Sequence, residues 1–179
     1  MLAIIESANA QKISANVELV IGQNLKSEAI GKAQQCRIKT EILTPTEADF
    51  STQLLTILHS HSIDIICLAG YMRLLPNEVV SSYQGRILNI HPALLPKFGG
   101  KGMYGIHVHE AVIKNKEKIS GCTVHLVNDR YDEGEIINQL TCPVEPDDTA
   151  ESLAHRVLEL EHKAYPEAIE TLWNRLKSQ

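Results

Sequence analysis

Residues 63–92 read IDIICLAGYMRLLPNEVVSSYQGRILNIHP. The first eight, IDIICLAG, are an almost wholly apolar run of strand length, the pattern of a strand buried on both faces of a parallel sheet. Pro76 then opens a short helical segment, NEVVSSY, at a position where a missing N–H costs a helix little. RILNI (86–90) reads as the next strand. The same alternation runs outward in both directions. Upstream lie VELVIG (17–22) and RIKTEIL (37–43) as strands, with SEAIGKAQQC (27–36) between them as a helix capped by Ser27. Residues 46–61 carry Phe50, Leu54, Leu55 and Leu58 at helical spacing. Downstream, His107 to Lys116 reads as a helix, GCTVHLVN (121–128) and EIINQLTCPV (135–144) as an antiparallel strand pair, and 151–176 as a helical tail bent at Pro166. Strand–helix alternation followed by a strand pair and a terminal helix predicts an α/β chain with an open, mostly parallel twisted sheet, Rossmann-like in plan. In such sheets the site lies at the carboxyl ends of strands, where the chain order switches. LAGYMR and NIHP stand at two such ends.

The bulk properties narrow the function. A chain of 179 residues suits a single domain, 1–179. Apolar residues make up 44% and charged residues 22%, and no apolar run approaches the roughly 20 residues that span a membrane. MLAIIESANAQK has no basic segment followed by an apolar one, so no signal peptide is expected. Cys36, Cys67, Cys122 and Cys142 are scattered without a CxxC pair, which points to free thiols in a reducing compartment, the cytoplasm. A net charge of −5 argues against nucleic acid as a partner. Small-molecule partners are expected, with no membrane and with a monomer or homodimer as the working form.

Asn89 and His91 are the first candidates for chemistry. In an extended segment, residues i and i+2 point to one side, so both side chains face one reacting atom. An amide NH2 and a protonated imidazole are both donors, suited to an oxyanion formed when a nucleophile attacks a carbonyl. Histidine also moves protons near neutral pH. In NDRYDEGEI, Asp132 is a candidate for orienting His91, with Asp129, Glu133 and Glu135 competing for that role on spacing. Against these stand plainer readings: Asn89 capping a turn, His91 satisfied by backbone, and a solvated acidic hairpin. His107, His109, His91 and Asp132 suggest zinc, yet no third ligand has a diagnostic spacing, and no metal is expected. GGKG (99–102) lacks the full phosphate-loop pattern, since Met103 follows Gly102, and reads better as a mobile loop. His125 and His155 read as packing or surface histidines.

LAGYMRLLP (68–76), GRILNIHPALLPKFGG (85–100), GIHVHEAV (105–112), GCTVHLVNDRYDEGEII (121–137) and LELEHKAYPEAI (158–169) together resemble the phosphoribosylglycinamide formyltransferase family. NIHP-x-LLPK with a downstream D-x-G is specific for the folate-dependent formyltransferase fold, and GIHVHEAV and EHKAYP point to this member. The resemblance implies 10-formyltetrahydrofolate as co-substrate and the amino group of glycinamide ribonucleotide as acceptor. It implies that Asn89 and His91 stabilise the tetrahedral oxyanion, while Asp132 holds His91 charged and anchors a proton-relaying water. It places Met72, Arg73 and Leu74 against the folate, together with the backbone of Val127, Asn128, Asp129 and Tyr131. Gly70, His107 and Glu161 fall on substrate, Glu161 at the ribose hydroxyls.

One departure stands out. The family begins with a strand and a glycine-rich phosphate loop, whereas MLAIIE matches the helix just after it, so the first strand and its loop are expected to be absent. Their absence would leave neighbouring strands with unpaired backbone groups and an apolar gap. A folate-binding relative with impaired transfer is therefore the rival reading.

Overall fold

The structure, a computed structural model, describes residues 1–178. In chain order the elements are α1 (Leu2–Asn9), β1 (Leu19–Gly22), α2 (Glu28–Gln35), β2 (Lys39–Ile42), α3 (Phe50–Ser60), β3 (Ile66–Leu68), α4 (Asn77–Ser82), β4 (Ile87–His91), α5 (Ile106–Lys114), β5 (Ile119–Leu126), β6 (Ile136–Pro143) and α6 (Ala150–Lys177). This is the α/β alternation read from the sequence, and β5 and β6 pair antiparallel as expected. The sheet stands in two parts. β1 and β2 form a parallel pair, and β3-β4-β5-β6 form a second sheet in that order, parallel between β3 and β4 and antiparallel beyond.

Helix faces follow apolar spacing. α2 buries Ile30 and Ala33, and α3 buries Phe50, Leu54 and Leu58, each set recurring at three or four residues. Ser27 sits at the N-cap of α2 but makes no side-chain bond to it. α6 is capped reciprocally: the Thr149 hydroxyl accepts from Ser152 N–H at 3.2 Å and Ser152 Oγ accepts from Thr149 N–H at 3.0 Å. Pro166 lies inside the single continuous helix α6 and is itself buried.

Two cores flank the second sheet. On one side Leu88, Cys122 and Val124 meet Leu153, Val157, Ala164, Tyr165 and Ala168 of α6. On the other, Ile87 joins Phe50, Leu54, Leu58, Leu75, Val79 and Tyr83. Tyr165 ties the sheet to α6, with its hydroxyl 2.8 Å from the Leu68 carbonyl and 3.0 Å from that of Leu88.

β3 departs from the expected doubly buried strand. It has only three residues, and all are half-buried. Among the described residues β3 pairs with β4 alone. Ile66 N–H donates to the Arg86 carbonyl at 2.9 Å, so alternation turns the backbone groups of Cys67 the other way. Likewise the Gly22 carbonyl accepts from Leu43 N–H at 2.9 Å, which turns Ile21 away from β2. These two free edges border one groove of about 1030 Å³, with Ile4, Ile5, Ile13, Leu54 and Leu58 among its apolar walls and Gly70 to Met72 lining it as well.

Candidate active site

The β4–β5 register assembles the centre. Asn89 stands opposite His125, and His91 opposite Thr123. Directly opposed residues of an antiparallel pair share a face, and so do residues two apart. Four polar side chains are thereby gathered on one face at the carboxyl end of β4, while Leu88 and Val124 turn to the opposite core.

Each group is held from a different direction. His91 is buried, and its Nε2 lies 2.7 Å from the Phe98 carbonyl. A carbonyl only accepts, so Nε2 carries the hydrogen and Nδ1 is left to titrate. Nδ1 faces Asp132 Oδ2 at 3.6 Å. The same Oδ2 accepts the Gly100 N–H at 2.8 Å. Asp132 Oδ1 lies 3.5 Å from His125 Nε2, and that nitrogen is also 3.2 Å from Asn89 Nδ2. His125 Nδ1 sits 2.9 Å from the Leu126 carbonyl. Beneath the cluster, the fully buried Thr123 hydroxyl donates to the Ala93 carbonyl at 2.6 Å and accepts from Leu95 N–H at 3.1 Å and Gln139 Nε2 at 2.8 Å. That set fixes the chain leaving β4.

Two of the six described non-glycine residues with positive φ lie here. Phe98 and Asp132 both have φ of 56°, the left-handed region that costs a non-glycine residue on the order of 1–3 kcal/mol. The distortion aims the Phe98 carbonyl at His91 and the Asp132 carboxylate between two imidazoles. Gly134 closes the second loop: a Cβ there would collide with the Leu126 carbonyl oxygen, so only glycine lets that loop fold onto β5.

Electrostatics leave the pair poised. Burial, the largest influence, pushes His91 below its ordinary value, and Asp132 and the Phe98 carbonyl pull the other way. The Asp132 carboxyl is held low because contacts from His125, Gly100 and His91 outweigh its own desolvation. Burial thus opposes the charged form of His91, and the facing Asp132 carboxylate favours it. A proton on Nδ1 meets the Asp132 carboxylate while Nε2–H keeps its carbonyl.

The remaining predicted residues lie around this centre in different ways. Gly70 is exposed with φ of 74°, and Met72, Arg73 and Leu74 follow it as exposed side chains. Val127 and Asn128 are half-buried at the end of β5, and Asp129 and Tyr131 are exposed. Glu161 is half-buried on α6, and desolvation raises its carboxyl to about 7, with the Met1 ammonium opposing. His107 is an exposed residue whose Nδ1 contacts Glu110 at 3.1 Å, on the surface of α5. The buried member of that pair is His109. Desolvation and the neighbouring His91 both lower its pKa, and its Nδ1 has no hydrogen-bond partner among the described residues. Sequence reading missed His125, which packs into the centre; its signal was the antiparallel register, since only that places it opposite Asn89.

Residues 1–169 match the formyl transferase family profile. The chain is 48% identical over 125 residues to a chloroplastic phosphoribosylglycinamide formyltransferase of Arabidopsis thaliana, covering 70% of this chain and 43% of that one. It is 36% identical over 172 residues to the human trifunctional purine biosynthetic protein adenosine-3, covering 94% of this chain and 16% of that one. The chain thus spans less than half the length of these curated relatives. Among solved structures, glycinamide ribonucleotide transformylase 1 from Symbiobacterium toebii superposes with a TM-score of 0.86 at 35% identity, over 94% of this chain and 79% of that one.

Proposed function

The chain belongs to the formyl transferase family, and from that premise we propose that it transfers a formyl group from 10-formyltetrahydrofolate to the amino group of glycinamide ribonucleotide. One observation carries the chemistry: Asn89, His91 and Asp132 converge on one end of β4, each held by its own partner. Attack of the amine on the formyl carbon places negative charge on the formyl oxygen. The free Asn89 N–H and a proton at His91 Nδ1 are donors for that charge. Transfer also moves one proton from the attacking nitrogen to the leaving folate nitrogen. His91 and Asp132 are the titratable groups that relay it.

The exposed Met72, Arg73, Leu74 and Tyr131, with the backbone of Val127 to Asp129, take the folate in this reading. Gly70 and Glu161 take the ribonucleotide. A carboxyl near neutrality, as on Glu161, either donates to or accepts from a hydroxyl. His107, whose ring pairs with Glu110, also takes the substrate in this reading. Small molecules are the partners, and the working form is a monomer or homodimer. All four cysteines are free, in keeping with a reducing cytoplasmic setting.

The test is a transfer assay with both substrates, following tetrahydrofolate release and formylated amine together. Equal amounts of the two products are expected. Folate release without formylated amine, or no turnover with this acceptor while another amine is formylated, overturns the proposal.

A further inference from the structure

We propose that His125 is a positioning residue, holding the Asn89 amide nitrogen toward the reacting centre. The inference deepens the formyl-transfer reading and rests on it for its kinetic consequence.

The geometry assigns the hydrogen of His125. Its Nδ1 lies 2.9 Å from the Leu126 carbonyl, which only accepts, so Nδ1 is the donor. Nε2 is the nitrogen left over, and in the neutral ring it is an acceptor. It sits 3.2 Å from Asn89 Nδ2 and 3.5 Å from Asp132 Oδ1. An acceptor at that place selects one of the two orientations of the Asn89 amide. The NH2 turns toward His125, gives it one hydrogen and keeps the second for an oxyanion. Were the amide reversed, its oxygen would face both the Nε2 lone pair and the developing negative charge, converting a donor site into a repulsive one.

His91 and His125 are locked in opposite senses. Phe98 holds the first by Nε2 and Leu126 the second by Nδ1. The nitrogens left free face different oxygens of one carboxylate, His91 Nδ1 toward Oδ2 and His125 Nε2 toward Oδ1. His125 is 2% exposed and cannot leave for solvent without opening the β4–β5 pair. Asp132 therefore has a rigid wall on the side away from His91, despite its strained backbone. The titratable groups around His91 are Asp132 from the loop after β5, His125 from β5 and His109 from α5.

Two substitutions separate positioning from simple satisfaction of the Leu126 carbonyl. His125→Asn keeps a polar atom near the Nδ1 position and loses the reach to Asn89. His125→Gln keeps a polar atom near the Nε2 position and loses the contact with Leu126. Positioning predicts that His125→Asn lowers kcat by roughly tenfold or more with KM for both substrates within about twofold, and that His125→Gln recovers most of the loss. The reverse order, or a His125→Asn enzyme with wild-type kcat, overturns the proposal. A readout independent of turnover is the Asn89 side-chain NH2 pair in 15N-edited NMR. Its two protons should be well separated in the wild type and in His125→Gln, and should collapse toward ordinary amide shifts in His125→Asn. If the NMR pattern holds while the wild type transfers no formyl group, the functional reading fails and the positioning role stands. An Asn89 pair unchanged in His125→Asn removes the positioning role whatever the activity.

Discussion

The two sheets border the same groove and are built on different terms. β5 and β6 are eight residues each, and β5 runs buried for six consecutive positions between its ends. β1 and β2 are four residues each, paired only with one another, and β2 has no fully buried residue. Every group of the chemical centre comes from the β3–β6 side. The difference teaches that the geometry of the candidate site is set by antiparallel register and a dense core. The β1–β2 layer is joined through helices and a groove rather than through a continuous ladder.

The largest expected effect that separates the halves is on stability. Leu88 is fully buried between α6 and the sheet, and Leu88→Ala should cost about 2–5 kcal/mol by transfer and cavity terms. Ile21 is half-buried on the groove, and Ile21→Ala should cost about 1 kcal/mol or less, as little core closes around it. Denaturant unfolding of both variants measures the gap. Equal losses would erase the distinction drawn between the two sheets.

Acidity gives a smaller effect. The pKa values of His91 and His109 are both lowered by burial, so below about pH 6.5 the unfolded chain binds protons that the folded chain resists. Their contribution to stability is complete above that pH and falls as pH drops toward their folded values. Glu161 works in the opposite direction. With its carboxyl raised to about 7, it favours the folded state at low pH and loses that contribution as pH rises from its ordinary value through 7. Comparing the wild type with His109→Gln isolates one histidine. From pH 7.5 to 5 the wild type should lose more melting temperature than the variant. A steeper loss in the variant would mean that His109 is not held neutral by its surroundings.

The sequence made the second sheet and the centre legible to different depths. Strand–helix alternation and the antiparallel pair were readable because IDIICLAG, RILNI and the two C-terminal runs carry plain apolar patterns. Asn89 and His91 were readable because two-residue spacing on a strand fixes a common face. His125 was not, because its alternation with Val124 and Leu126 looks the same for a core histidine and a site histidine. Only pairing with Asn89 decides between them. The resemblance places His107 on substrate, while helical phase, which the HxH spacing alone does not reveal, leaves it exposed and buries His109. The tautomer of His91 was beyond reading too, since it depends on a carbonyl aimed by the positive φ of Phe98. The half-buried state of β3 goes with its open edge, since it pairs with β4 alone among the described residues.

The central claim of the proposed function is that the Asp132 carboxylate, standing between two locked imidazoles, serves the chemistry without making the binding site. Asp132→Asn tests it most directly, measured as single-turnover formyl transfer beside the affinity for a folate analogue. Loss of the carboxylate leaves an amide between His91 and His125. The expected result is a transfer rate lowered by about 10²-fold or more with affinity changed by less than about threefold. A variant that transfers at the wild-type rate, or that loses folate affinity in proportion to rate, would contradict the account.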